Sequence, residues 1–520
     1  MNNRETRVRF APSPTGPLHM GGVRTALYNY LFAKQRGGKF ILRIEDTDSQ
    51  RFVPGAEKYI IESLKWCGIY PDEGVDTNGN IVETASATHP HAPYRQSQRK
   101  NIYRKYAEEL VEKGYAYYAF DTSEELDAKR KEAEGKGETF IYNQISRNNL
   151  NNSLNISKEE CQQKLKSGNH WTIRFKMPEN RVVKMNDLIR GKIEINTVTL
   201  DDKVLWKAID ELPTYHLANI VDDHLMEISE VIRGEEWLPS LPLHYLLYEA
   251  FEWQDTMPNF AHLSLLLKPD GKGKLSKRDG DRLGFPVFPL QWTSPAGDIS
   301  RGYREDGYYP EAFINLLALL GWNSGTEQEI YTLDELVKEF SLDRVIKAGA
   351  KFNPEKAKWF NQEHLRLKSN TELASEFSTN LSTKGINANM EFIEEVCSLI
   401  KERAHFITEF WDLSDYFFQA PTQYDPAVAA KFWKEDIIKE IPAVTEEVLS
   451  IENFNKETID ETLHNYISTK GLPMGKIMNS IRLSIVGASK GPGVAEIIAL
   501  IGKEEFSKRM KQAIEFMTKK

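Results

Sequence analysis

The sequence predicts an α/β fold: a parallel-sheet domain, interrupted by an insertion and followed by an all-helical C-terminal domain. Three observations carry this. A strand, a helix and a second strand succeed one another within the first 45 residues. Near residue 116 a charged, loop-rich stretch breaks that pattern, which returns near 206. After residue 350 strand signals fade and amphipathic helical segments take over.

Val8 and Phe10 alternate with Arg7 and Arg9, a short strand. After Pro12, Pro14 and Pro17, the apolar positions Met20, Val23, Leu27 and Leu31 recur with the helical period, and Gly37-Gly38 stops the helix. KFILRIEDTD reads as the second strand, ending in acid. A βαβ unit implies parallel pairing, and in doubly wound sheets ligands bind at the carboxyl ends of the strands. The Pro/Gly loop and Glu45 both fall there. IRFKM, RVVKMNDLI and GKIEINTVTL look like strands of an inserted domain, 116–205, and KVLWKAIDELPTYHLANIVDDHL resumes the interrupted fold. The last 35 residues are amphipathic helix. The plan is therefore 1–115 and 206–270 for the two halves of the sheet domain, 271–349 for a basic loop and the segment after it, and 350–520 for the helical domain.

A chain of 520 residues exceeds one hydrophobic core. The formal net charge of −9 argues against bulk nucleic-acid binding but leaves room for a local basic groove. No run of about 18 apolar residues occurs, so no membrane contact is expected. MNNRETRVRF has no apolar leader core, so a cytoplasmic protein is expected. Cys67, Cys161 and Cys397 lie far apart, giving neither a disulfide framework nor a cysteine zinc site.

Four stretches could carry chemistry. His19, Gly21 and Gly22 fall where a helix begins, and a helix N-terminus offers unpaired N–H groups to phosphate; a plain tight turn is the other reading. In LLLKPDGKGKLSKRDG, Lys274 and Lys277 are interleaved with glycines and Ser276, either a phosphate-following loop or a solvated basic turn. In RIEDTD, Glu45 could accept from an amine, while Asp46, Thr47 and Asp48 could cap the next helix. Tyr215 and Asn219 share a helical face, and Arg233 can grip a carboxylate through two parallel hydrogen bonds.

Together these stretches carry a resemblance. His19-Met20-Gly21-Gly22 and, later, Lys274-Leu275-Ser276-Lys277-Arg278 form the paired signature of class I aminoacyl-tRNA synthetases. VRFAPSPTGPLHMGG, GGKFILRIEDTD, PYRQSQR, PTYHLANIVDDH, VIRGEEW and LLALLGW resemble bacterial glutamyl-tRNA synthetases, and MGKIMNSIRLSIVGASKGPGVAEIIALIGKE extends the likeness to the C-terminus. The resemblance implies a Rossmann-type catalytic domain, an inserted domain gripping the acceptor end, a stem-contact region, and a helical anticodon-binding domain. It implies ATP with Mg²⁺, L-glutamate and the tRNA for glutamate as what a monomer would bind. Catalytic roles fall on His19, Lys274 and Lys277. Glutamate contacts fall on Arg9, Ala11, Ser13, Glu45, Tyr215, Asn219 and Arg233, with the two arginines on its carboxylates and Glu45 on its ammonium. ATP contacts fall on Pro12, Thr15, Gly21, Gly22, Glu236, Trp237, Leu265, Leu266 and Ser276 besides His19 and the lysines. Anticodon contacts fall on Arg482, Pro492 and Val494.

Some relatives hold zinc through a Cys-x-Cys pair where this chain has Ala119-Phe120-Asp121, so no structural zinc is expected. The stretch 281–306 is longer than the usual family linker and reads as a flap near the tRNA or as surface decoration, the second being preferred. Among rivals, glutaminyl-tRNA synthetases usually end in β-barrels. A truncated tRNA-modifying relative lacks the helical domain, and a small-molecule adenylyltransferase needs neither addition. A non-catalytic tRNA binder would have no use for His19, Lys274 and Lys277.

Overall fold

The computed structural model describes residues 4–48, 51–168 and 170–518. Its chain divides into two compact units, one running up to Asp306 and including Pro310–Pro354, the other made of Gly307–Tyr309 and Glu355–Lys520.

The first unit opens with β1 (Arg7–Phe10), α1 (Met20–Gln35) and β2 (Lys39–Leu42), and β1 pairs with β2 in parallel. Apolar Val23, Leu27 and Leu31 bury the sheet-facing side of α1. Gly37, at φ 65°, ends it. β2 is shorter than KFILRIEDTD, because past Arg43, whose N–H still donates to Phe10 O of β1, the backbone bonds turn elsewhere: the Ile44 N–H donates to Tyr94 O and the Glu45 N–H to Pro12 O. Helix α2 (Ala56–Trp66) starts at Gly55, in the left-handed region, and not at the Asp46–Asp48 cluster. Asp46 instead accepts from the N–H and hydroxyl of Ser97.

After α3 (Lys100–Glu112), strands β3 (Ala116–Ala119) and β4 (Thr172–Phe175) enclose two helices, α4 (Ser123–Gly135) and α5 (Lys158–Ser167). Next come β5 (Val182–Asp187), β6 (Gly191–Asn196), β7 (Val204–Lys207) and β8 (Leu212–Pro213). An antiparallel sheet, β3-β4-β7-β8, packs Tyr117, Leu126, Tyr142 and Leu150 into a small core of its own. The β5–β6 hairpin leaves that sheet. It pairs with β10 (Asn259–Leu263), giving the order β6-β5-β10-β9, where β9 is Glu230–Gly234. Residues 116–205 are thus divided between two sheets, because Val183 and Met185 bury themselves against the second.

Between β8 and β10 lie α6 (Tyr215–Leu225) and α7 (Leu241–Ala250). The Ser229 N–H donates to Arg7 O at 2.8 Å, which sets β1 beside the start of β9. The unit closes with β11 (Leu266–Leu267), α8 (Lys277–Leu283), a hairpin of β12 (Trp292–Thr293) and β13 (Ile299–Ser300), α9 (Pro310–Leu319), α10 (Leu333–Glu339) and β14 (Ala350–Lys351), which pairs with β11.

Among its described residues the second unit is helical, from α11 (Pro354–Leu367) through α12 (Asn370–Thr383), α13 (Met390–Ile400), α14 (Phe410–Phe418), α15 (Pro426–Phe432), α16 (Glu435–Ile438), α17 (Ile441–Leu449) and α18 (Lys456–Thr469) to α19 (Met474–Val486) and α20 (Val494–Thr518). Gly502, at φ 81°, kinks α20. Arg509, 2% exposed, crosses the interior and donates to the carbonyls of Tyr416 and Ile485. Among the described residues no helix is long and apolar enough to cross a membrane.

Candidate active site

Two adjoining cavities, of about 630 and 250 Å³, open where β1 and β9 end. Pro12, Ser13, Leu18, Gly22, Thr25, Gly234 and Glu236 line both. His19 is the N-cap of α1: its Nδ1 accepts the Gly21 N–H at 3.2 Å, so the second proton position is Nε2. That Nε2 is buried with no protein partner. Burial, helped by the charge of Lys274, lowers the imidazole to about 4, so it is neutral near pH 7. A Cβ on Gly22 would fall 2.5 Å from Leu18 Cδ1, so a larger residue there requires the Leu18 side chain to move.

The smaller cavity brings together Arg9, Ala11, Ser13, Glu45, Tyr215, Asn219 and Arg233. Its floor is an ion-pair cluster. Arg9 donates through Nε and Nη2 to both oxygens of Asp223. Arg43, 0% exposed, donates to Asp223 at 2.8 Å and to Glu45 at 3.0 Å. Burial alone would raise Asp223, but Arg9 and Arg43 outweigh it and hold the carboxyl below its usual range. Glu45 goes the other way, because burial exceeds the pull of Arg43 and Arg9. Arg9 and Glu45 therefore both line the cavity and belong to a paired cluster beneath it.

Arg233 differs from Arg9, since its hydrogen bonds go to neutral acceptors. Nη1 donates to Tyr215 Oη at 2.8 Å and Nε to His262 Nε2 at 3.0 Å. His262 in turn holds Asp187 of β5 through Nδ1 at 2.6 Å, and both groups are buried. Asn219 Nδ2 donates to Glu45 at 3.3 Å. Trp237, expected beside ATP, lines the smaller cavity and stacks on Tyr215 with ring centroids 4.1 Å apart.

The larger cavity gathers Thr15, His19, Gly21, Leu265, Leu266, Lys274 and Lys277 with the shared wall. Lys274 pairs with Glu236 at 3.3 Å, while Lys277 opens α8 in solvent. Ser276 is not in the lining; it forms a capping box with Asp279 that starts α8. The Leu265 N–H donates to Glu235, whose other oxygen accepts from Arg190.

Sequence reasoning missed Arg43, Asp187, Asp222, Asp223, Glu235 and His262. Asp222 accepts from Gln96, Arg99 and Tyr103, which accounts for much of PYRQSQR. The adjacent acids of IVDDH were the available signal, since two consecutive helical carboxylates under an apolar helix need buried cations. The stretch 281–306 is not surface decoration: Phe285, Val287, Phe288, Leu290 and Tyr303 are buried, and Phe288, Trp292, Ser294, Asp298 and Ser300 line the larger cavity.

In the helical unit, Arg482 donates through Nη1 to the carbonyls of Lys490 and Pro492, and Pro492 and Val494 are buried. Arg482 therefore shapes the 490–492 loop. At Ala119-Phe120-Asp121, Asp121 accepts from the Asn151 N–H and the Tyr142 hydroxyl.

Comparison with known proteins agrees with this geometry. The family described as tRNA synthetases class I (E and Q), catalytic domain, matches residues 5–359, and an anticodon binding domain matches 369–514. A glutamate–tRNA ligase of Christiangramia forsetii is 56% identical over 98% of this chain and 99% of its own. One from Flavobacterium johnsoniae is likewise 56% identical, with the same coverage. The crystal structure of a glutamate tRNA ligase from Elizabethkingia meningosepticum in complex with its amino acid superposes with a TM-score of 0.93 at 52% identity, covering 99% of this chain and 100% of that one. The chain belongs to the glutamate–tRNA ligases, a family of class I aminoacyl-tRNA synthetases.

Proposed function

We propose that the larger cavity binds ATP, the smaller one L-glutamate, and that the two react across the wall they share. The observation that carries this is the wall itself: Pro12, Ser13 and Gly22 border both cavities, so one substrate's carboxylate can meet the other's α-phosphate. Arg233, whose protein partners are all neutral, takes a glutamate carboxylate, with Arg9 beside it. Glu45 and Asn219 receive the ammonium.

A glutamate carboxylate oxygen attacks the α-phosphorus, and the bond to the bridging oxygen breaks, releasing pyrophosphate. His19 Nε2–H and the two lysines stabilise charge on the phosphate oxygens, with no covalent protein nucleophile. Holding the reactants in line supplies about 7–11 kcal/mol of barrier reduction in favourable cases. The terminal ribose hydroxyl of the tRNA then attacks the glutamyl carbonyl; AMP leaves and the hydroxyl proton is lost. Mg²⁺ accompanying ATP would neutralise phosphate charge, and Glu236 and Asp298 are carboxylates of the type it accepts in this cavity.

In this reading residues 116–205 hold the acceptor end, 271–349 meet the stem, and the loop shaped by Arg482 reads the anticodon from a monomeric, cytoplasmic enzyme. The test is ATP-dependent attachment of labelled glutamate to glutamate tRNA and, in parallel, to glutamine tRNA. Charging of the first alone is a discriminating enzyme, and charging of both a relaxed one. Charging of neither, with active control tRNA, overturns the assignment of the cavities.

A further inference from the structure

We propose that residues 285–300 form a fixed wall of the nucleotide cavity that seats the catalytic histidine and closes on the phosphate end of a nucleoside triphosphate. This rests on the reading that the larger cavity takes ATP.

The wall is tied to the start of α1. Val287 O accepts the Met20 N–H at 2.8 Å, satisfying one of the four N–H groups that a helix N-terminus leaves unpaired. The Phe288 ring meets the His19 ring edge-on, centroids 6.0 Å apart. The chain is then anchored behind. Tyr59 of α2 accepts the Leu290 N–H through the hydroxyl that also donates to Leu290 O. Trp292 packs edge-on against the Tyr59 ring at 5.3 Å, and its indole lies where a Cβ on Gly55 would be in contact at 3.6 Å. On the return, the Tyr303 N–H donates to Phe288 O, and the crossing is tight enough that a Cβ on Gly302 would fall 2.1 Å from Leu290 C.

The same wall is continuous with the lysine loop. Helix α8 runs from Lys277 to Leu283 and turns at Gly284, φ 78°, directly into the wall. Gly280 of α8 sits so close that a Cβ would lie 2.7 Å from Phe285 O. The end of the cavity nearest the wall is therefore the end nearest His19 and Lys277, where phosphates belong. There the β12–β13 hairpin lines the cavity with Trp292, Ser294, Asp298 and Ser300; the Ser294 hydroxyl accepts the Asp298 N–H, and the Asp298 carboxylate would face the phosphates through the cation that travels with them. Hydroxyl donors and a shielding ring suit a polyphosphate that must be kept from water.

The experiment measures binding of a non-hydrolysable ATP analogue with Mg²⁺, and of adenosine, by calorimetry on the full chain. Trp292→Ala and Ser294→Leu are compared with wild type, and thermal melts confirm folding. Trp292→Ala is expected to weaken the analogue by about tenfold and leave adenosine within twofold, with Trp292→Phe retaining most of the affinity. Ser294→Leu, at a half-exposed hairpin position, puts bulk into the cavity and blocks the analogue even if Trp292→Ala does not fold. Unchanged analogue binding in folded Ser294→Leu overturns the wall, as does an equal loss for adenosine. If wild type itself fails to bind the analogue, it is the nucleotide assignment of the cavity that falls.

Discussion

The smaller cavity rests on guanidinium and carboxylate groups that are almost wholly buried, whereas the larger one ends in lysines left in solvent. Arg9, Arg43, Glu45 and Asp223 are each below a tenth exposed and bound to one another; Lys274 and Lys277 are exposed on a glycine-rich loop. In the proposed assignment the difference follows from the two ligands. An amino acid must be told from near neighbours of similar size, which requires polar groups fixed before it arrives. A triphosphate changes shape as it reacts, and flexible point charges can follow it. Breaking the first arrangement should cost stability, and breaking the second should cost rate.

The largest effect is expected from Asp223→Asn. It takes from buried Arg9 the carboxylate it pairs with and from Arg43 one of three, and breaking a buried pair in this way costs about 3–5 kcal/mol. Urea denaturation reads it directly. A loss under about 1 kcal/mol would mean that the cluster relaxes and the cavity is no more rigid than the loop.

Lys277→Ala should do the opposite. The side chain is exposed at the start of α8, so stability should stay within about 0.5 kcal/mol. Loss of one charge donor to the phosphates should lower kcat by about 10²–10³, with KM for glutamate little moved. A melting change comparable to that of Asp223→Asn would erase the distinction between the cavities.

These two regions were also unequally legible in the sequence. The placement of His19 and the lysine loop could be read because it depends on local order: a cap at a helix start and charges spaced by glycine. The strand–helix–strand opening was legible for the same reason. The floor of the smaller cavity was not, since Arg43 meets Asp223 across 180 residues and nothing in either local pattern names the other. The same holds for Asp187, which lies on a strand that reads as part of the inserted domain but hydrogen-bonds into the sheet of the site. The 281–306 stretch misled because its many turns look solvated, while Phe285, Phe288 and Leu290 face inward.

A smaller effect tests the neutral setting of Arg233. Arg233→Lys keeps the charge but loses the fork that holds Tyr215 and His262 together, so KM for glutamate should rise about tenfold, some 1.4 kcal/mol, while KM for ATP stays put. Equal changes in both constants would show that the cavities are coupled through this residue.

The smallest effect is in pH, and it separates the cavities by sign. Burial lowers His19 to about 4, so between pH 8 and 5.5 it stays neutral. The ratio of ATP-analogue affinity between wild type and His19→Gln, in which the phosphates' own titration cancels, should therefore be flat over that range. An exposed histidine, titrating near 6.5, would make the ratio bend. Glu45 is raised by burial, so it takes up a proton at higher pH than an ordinary carboxyl. Protonation removes the charge that receives the ammonium, so wild-type affinity for glutamate should fall as pH falls. The ratio of wild type to Glu45→Gln should then converge toward one at the acid end while the nucleotide ratio holds. A glutamate ratio that converges only where an ordinary carboxyl protonates, or lower, would mean that Arg43 outweighs the burial of Glu45.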